Sequence, residues 1–378
     1  MNTRRDSFSY LDANASEPVR PEALAAMVAA ADVVGNPASV HRAGRAARAV
    51  LETAREGLAA LFGVMAENCV LTSGGTEANV LAITGQAHGR RVLVGASEHD
   101  AVRAAARAQV VPVGRDGVLD TGALERMLAA DGGTPALVCV MLANNETGVI
   151  NPVRDIAALC HAHGALVHVD AVQAAGRIPF TMDGLGADSI AISGHKFGGP
   201  KGAGALLLAG ARFHAITPLL AGGGQEQGRR GGTPALPAIA GMTAAATVAV
   251  ADMAQQATRL AALRDRIEAA AVAAGAQVCG ADAPRLANTS SLLLSGRRAQ
   301  TQLIALDMAG CCVSAGSACS SGKVTRSHVL DAMGFGEDAG CAIRVSLPWS
   351  VTQAQVDGFI AAYTAMARRL PAVQAGAA

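Results

Sequence analysis

Ala136-Leu-Val-Cys-Val-Met-Leu142, then Val153–His163, then Leu166-Val-His-Val169 and Ser189-Ile-Ala-Ile-Ser193 follow one another through the middle of this 378-residue chain. Three are short apolar or β-branched runs that read as buried strands. The fourth, Val153–His163, is an amphipathic helical stretch stopped by Gly164. The same alternation extends outward. Strands are expected at Cys69–Thr72, Arg91–Gly95 and Ala205–Leu208, and helices at Val40–Leu61, Thr76–Gly85, Asp100–Ala108 and Leu119–Ala130. A βαβα rhythm of this kind predicts an α/β fold, a mostly parallel central sheet covered by helices.

From about Ala240 the rhythm changes. A long Ala-rich helical stretch is expected to run to about Ala274, and strand-like Thr289–Leu294 and Ala342–Leu347 then flank helical segments. This predicts a smaller α+β domain at the C-terminus. The division is placed at 14–254 for the large domain, with 1–13 and 255–378 forming the small one.

Composition narrows the function. Hydrophobic residues make up 51%, charged residues 16%, and the net charge is +1 with no basic tract, so no nucleic-acid partner is expected. Arg4-Arg5 is not followed by an apolar run of the secretory type, and no apolar run reaches membrane-spanning length. Eight scattered cysteines without a C-x-x-C pair argue against a disulfide scaffold and for a cytoplasmic location. Of 31 basic residues only Lys196, Lys201 and Lys323 are lysines. Arginine can replace lysine for solubility and ion pairing but cannot form a Schiff base, because its guanidinium does not deprotonate. Lys196, in Ser193-Gly-His-Lys-Phe-Gly-Gly-Pro-Lys-Gly202 after a strand, is therefore a candidate nucleophilic amine; it can equally be a surviving surface residue of an Arg-rich chain.

Other motifs stand at the ends of expected strands. Thr72-Ser-Gly-Gly-Thr-Glu77 opens a helix with adjacent glycines, which suits a phosphate cradle or an ordinary helix cap. Asp170 closes the strand Leu166–Val169, where α/β folds bind ligands. It can pair with a pyridinium nitrogen or cap the next helix, and Gln173 can reach the same ligand. His99, in Ser97-Glu-His-Asp100, can stack on a flat ring, relay a proton or cap a helix. Asn145, in Asn144-Asn-Glu-Thr-Gly148, can contact a phenolate oxygen or sit in a turn. Cys319 lies in the small-residue loop Ser314-Ala-Gly-Ser-Ala-Cys-Ser-Ser-Gly322 as an accessible thiol. Arg344, amid the strand Ala342-Ile-Arg-Val-Ser346, needs a carboxylate, and a substrate's would serve. His161, His163, His168 and Asp170 have the chemistry of a metal site. His161 and His163, however, face apart at the helix end, and no metal is expected.

In order and spacing these motifs resemble the cysteine desulfurases of the nitrogen-fixation and iron–sulfur-cluster type, within the class V, fold-type-I pyridoxal-phosphate enzymes. Gly35-Asn-Pro-Ala-Ser39 with His41, and Gly222-Gly-Gly-Gln-Glu226 leading to Gly232-Thr233, also match, and the resemblance spans about Tyr10 to Leu347. It implies a pyridoxal 5'-phosphate cofactor held covalently by Lys196 in the large domain. It also implies Asp170 on the ring nitrogen, His99 stacked on the ring and Asn145 and Gln173 at its phenolic oxygen. Gly75, Thr76, Ser193 and His195 would form the phosphate site. Thr233 would be contributed across a homodimer interface. Arg344 and Asn145 would bind the substrate, L-cysteine, and Cys319 on its small-domain loop would accept the sulfur. Lys196, Cys319 and His99 are the catalytic residues so implied. A sulfur-acceptor protein such as a cluster scaffold would follow.

The activity implied is conversion of L-cysteine to L-alanine, leaving a persulfide on the enzyme. A relative acting on another amino acid with the same cofactor is the nearest alternative, and Cys319 discriminates against a plain aminotransferase. The chain departs from the family pattern in Leu11-Asp-Ala-Asn-Ala-Ser-Glu-Pro18, where relatives carry Thr-Thr before the proline. It departs again in Lys323-Val-Thr-Arg-Ser-His328 and at Leu347-Pro-Trp349.

Overall fold

A computed structural model describes residues 8–130, 133–210, 216–316 and 326–369. Among these the strands are β1 (Ser9–Tyr10), β2 (Cys69–Thr72), β3 (Arg91–Gly95), β4 (Gln109–Val111), β5 (Ala136–Met141), β6 (Leu166–Asp170), β7 (Ser189–Ser193), β8 (Gly204–Leu208), β9 (Gln277–Val278), β10 (Thr289–Leu293), β11 (Cys311–Cys312), β12 (Ser314–Ala315) and β13 (Ala342–Ser346). Seven form one sheet in the order β2-β8-β7-β6-β5-β3-β4. Every pair from β4 to β7 is parallel, while β8 runs antiparallel to both β7 and β2. The expected mostly parallel, helix-covered sheet is the one observed.

Period-two alternation sorts the side chains of the central strands. Val167 and Val169 of β6 and Ile190 and Ile192 of β7 enter the main core, together with Ile156, Ala157 and Cys160 of the helix Val153–Ala162. Full burial of each large aliphatic side chain contributes about 1.5–3 kcal/mol. The intervening residues, His168, Asp170, Ser189 and Ser193, belong to the opposite face, and that face carries the polar chemistry.

The C-terminal part is a four-stranded antiparallel sheet in the order β12-β13-β10-β9. Ile343 and Val345 of β13 join a second core with Leu11, Phe359 and Tyr363, so Arg344 between them projects to the other side. The N-terminal segment crosses to this unit. β1 pairs with β11, and Asp12 bridges to Ser346.

Two expectations need correction. The helix expected at Asp100–Ala108 is a single turn, Asp100–Arg103, followed by edge strand β4. The small Ala104–Ala106 run offers little apolar surface to anchor further turns, whereas Val110 and Val111 pair in parallel with β3. The continuous helix expected from Ala240 to Ala274 is two helices, Leu236–Ala251 and Met253–Ala273, bent by 72°. Asp252 at the break accepts an ion pair from Arg20 at 3.0 Å. The first helix packs on Pro21–Ala31 and Arg42–Phe62, the second on Gln353–Arg369. Each half thus serves a different core, which Ala-rich propensity alone cannot reveal. Among the described residues no single helix is long and apolar enough to cross a membrane. Only this bent pair passes that test jointly, by length and composition.

Candidate active site

A cavity of about 280 Å³ opens at the carboxyl ends of β5, β6 and β7. Asp170 and Lys196 line it from neighbouring strands: Asp170 ends β6, its register partner in β7 is Ala191, and Lys196 follows β7 in a one-turn helix. The Lys196 ammonium donates to the carbonyl oxygens of Asn14 at 2.5 Å and Ala15 at 3.2 Å. The N-terminal segment is therefore the wall against which the amine rests. Lys201 is exposed. Lys323 and Cys319 lie outside the described residues.

The Asp170 carboxylate is held from behind. Oδ1 accepts from the Val172 amide at 2.9 Å, and Oδ2 accepts from the Asn79 amide at 2.8 Å. Asn79 Oδ1 meets His168 Nε2 at 2.9 Å, and His168 Nδ1 meets the Ser189 hydroxyl at 2.8 Å. Burial depresses the His168 pKa to about 3, so the ring is neutral. An accepting Asn79 oxygen fixes the proton on Nε2, and Nδ1 then accepts from Ser189. This is what became of the apparent metal set. His168 and Asp170 share a face but are bridged by Asn79. His161 pairs with Asp188 at 3.0 Å, and His163 caps its helix. No group of three or more His, Cys, Asp or Glu among the described residues is placed to hold a metal ion.

The anion cradle is built as the glycines suggest. The helix Gly75–Gln86 starts at Gly74, with φ 157°, and has no side-chain cap. Its first amides have no intrahelical acceptor, which is an anion site at a helix N-terminus. A Cβ on Gly75 would stand 2.5 Å from Val172 Cγ2. Gly75, Thr76, Ser193 and His195 all line the cavity. Burial and the charges of Lys196, Lys201 and Arg177 lower the His195 pKa to about 4. Thr233 is exposed and lines a separate cavity with Ser73 and Arg230, away from the other predicted residues of the same chain.

His99, Asn145, Gln173 and Arg344 complete the lining. His99 caps the turn Asp100–Arg103, its Nδ1 accepting from the Ala101 amide at 3.0 Å, so its Nε2 carries the proton when the ring is neutral. Gln173 lends its amide to structure: Nε2 donates to the Asn14 carbonyl at 3.0 Å, and Oε1 accepts from Arg177 at 2.5 Å. Arg344 has a carboxylate partner within the chain, Asp12. Nη2 donates to Asp12 at 2.8 Å and Nη1 to the Asn145 carbonyl at 3.2 Å, while buried Nε has no hydrogen-bond partner among the described residues.

Two buried glutamates stand beside these groups. Glu98 accepts from the Met141 amide at 2.6 Å, and its Oε2 has no hydrogen-bond partner among the described residues. Burial, reinforced by Asp170, pushes its pKa well up. Glu146 accepts from the Ser327 hydroxyl at 2.5 Å, and burial raises its pKa as well.

Asp12, Asn14, Glu17, Asn79, Arg177 and Glu98 were not singled out from sequence. The only available signal was the density of polar residues in Asp12–Glu17, beside a buried Leu11 and Ala13.

The aminotransferase class-V family matches residues 9–359. An IscS-like cysteine desulfurase of Mycobacterium tuberculosis is 37% identical, covering 98% of this chain and all of that protein. Among solved structures, a NifS-like protein from Rickettsia africae superposes with a TM-score of 0.87 at 32% identity, over 95% of this chain and 99% of that one. SspA, solved in complex with cysteine, gives a TM-score of 0.76 at 29% identity over 90% of this chain and 99% of its own. The chain belongs to the class-V aminotransferases and, within them, to the NifS- and IscS-type cysteine desulfurases.

Proposed function

We propose that the protein takes L-cysteine to L-alanine and carries the sulfur away as a persulfide on Cys319. The observation that carries this reading is the convergence of Lys196, Asp170 and an uncapped helix N-terminus on one cavity. That donor set fits pyridoxal 5'-phosphate: an amine for its aldehyde, a carboxylate for its ring nitrogen and backbone amides for its phosphate.

Bound there, the cofactor supplies an electron sink for the charge left when the substrate Cα loses its proton. Lys196 would hold it covalently, and its amine, when free, would move that proton. Asp170, aimed by Val172 and Asn79, would hold the ring nitrogen protonated. Gly75, Thr76, Ser193 and His195 cradle the phosphate. His99 would stack on the ring and relay a proton, and Asn145 and Gln173 would contact its phenolic oxygen. Arg344 would bind the substrate carboxylate from β13. The Cys319 thiolate attacks the substrate sulfur, the Cβ–S bond breaks with its electron pair remaining on carbon, and protonation yields alanine. Thr233, exposed in one chain, serves the phosphate of a second copy, which makes the active form a homodimer. The persulfide passes to an acceptor protein such as a cluster scaffold.

Purified protein is expected to be yellow, to lose that colour on borohydride reduction and to carry the pyridoxyl group on Lys196. Colourless protein that takes up no pyridoxal phosphate would rule the reading out.

A further inference from the structure

Behind Lys196, outside the cavity lining, the Arg177 guanidinium organises three groups at once. Nη2 donates to the Lys196 carbonyl at 3.0 Å. Nη1 donates to Asn14 Oδ1 at 2.8 Å and to Gln173 Oε1 at 2.5 Å. The Asn14 carbonyl, in turn, accepts from both the Lys196 ammonium and the Gln173 amide. The charge of Arg177 is answered by Glu17, whose Oε1 lies 3.4 Å from Nη2. Glu17 is fixed at both ends: its amide donates to the His195 carbonyl at 2.8 Å, and Oε2 accepts from the Trp349 amide at 3.3 Å. Glu17 and Trp349 are brought together from positions 332 residues apart. Together with Arg177 they enclose a second, small cavity.

We propose that Glu17 and Arg177 form a positioning pair for Lys196, in which Arg177 sets the geometry of the lysine wall and Glu17 sets the charge behind the amine. This deepens the reading that Lys196 carries the cofactor and rests on it. The groups facing Glu17 are Arg177, Arg20 (itself paired with Asp252), Tyr10, the Trp349 amide and the His195 carbonyl, with Arg344 beyond Arg177. Burial outweighs the two arginines and raises the Glu17 pKa to about 7. The pair therefore changes its net charge across neutral pH, and in a buried setting such a change is weakly screened.

The test uses the holoenzyme. Glu17→Gln keeps the size and the acceptor for Trp349 but removes the charge. It is expected to lower the pH midpoint at which the visible band of the lysine-bound cofactor titrates, by roughly half a unit or more, because a protonated amine loses a nearby anion. Arg177→Lys keeps the charge and loses the fork. It is expected to cut kcat roughly tenfold, with KM within about twofold and the midpoint retained. Should Glu17→Gln fail to fold, Arg177→Lys alone decides, and a wild-type kcat there overturns the proposal. A Glu17→Gln midpoint equal to wild type also overturns it, even if activity falls, since a merely structural role would give that pattern. Reductive mapping separates the two levels. Pyridoxyl on Lys196 with an unmoved midpoint sinks only the pair, whereas pyridoxyl found elsewhere sinks the functional reading and the pair together.

Discussion

Asp170 and Lys196 reach the same cavity from adjacent parallel strands, Asp170 as the last residue of β6 and Lys196 just beyond the end of β7. A flat ring lying between them would meet a carboxylate at one edge and an amine at the other. Each is held by groups from distant sequence, Asp170 by Asn79 and Lys196 by Asn14.

Replacing Lys196 with Ala should leave the fold intact and remove the covalent anchor. The variant is expected to lose its yellow colour on gel filtration and at least about a thousandfold in turnover, since the same amine holds the cofactor and moves the proton. Absorbance and a turnover assay check both.

Asn79→Ala withdraws a charge-directed hydrogen bond from Asp170 and strands His168 Nε2 without an acceptor. Hydrogen bonds to charged groups contribute about 1.5–3 kcal/mol, so apo protein should bind pyridoxal phosphate roughly tenfold more weakly or worse. Fluorescence titration of apo protein measures this; unchanged affinity would count against the role given to Asn79.

Arg344→Lys retains a cation but not the planar fork that Asp12 and Asn145 hold in place. KM for L-cysteine is expected to rise about tenfold or more, with a smaller change in kcat. Steady-state kinetics with L-cysteine distinguish this from a general loss of activity.

His168 gives a pH prediction with a definite sign. Its pKa falls from 6.5 to about 3 on folding, so between those values the unfolded chain binds a proton that the native one does not. Stability from this residue is complete above pH 6.5 and is lost as pH falls, at up to about 1.4 kcal/mol per pH unit. Glu17 acts oppositely. Raised from 4.5 to about 7, it holds a proton in the folded state across that window and favours folding toward acid. Comparing wild type with His168→Gln isolates the first effect: the wild type's advantage in Tm should shrink steadily from pH 6.5 to pH 4.

The sheet and much of the cavity were readable because they are local. A β-branched run ending in Asp170, or in Ser193 with Lys196 beyond it, places its terminal residues by strand geometry alone, whereas Gly74-Gly75 leaves a phosphate cradle and an ordinary helix cap both open, and the structure shows no side-chain cap there. What was hidden depends on contacts between distant segments. Asp12 lies 332 residues from Arg344, and nothing local in either stretch indicates their pairing. For the same reason Arg344 looked like a charge waiting for a substrate. Arg177 reads as an ordinary residue after Gln173-Ala-Ala-Gly, and only the folded wall makes it a hub. The helix break at Asp252, where Arg20 pairs with the carboxylate, is likewise invisible in uniform alanine propensity.

The most direct test of the central claim is to incubate the holoenzyme with L-cysteine while following alanine and the mass of the Cys319 peptide. The account predicts alanine formation, together with a Cys319 peptide heavier by one sulfur atom that returns to its original mass on reduction by a thiol. Enzyme loaded with pyridoxal phosphate that yields no alanine, or that places the extra sulfur on another cysteine while Cys319 stays unmodified, would contradict it.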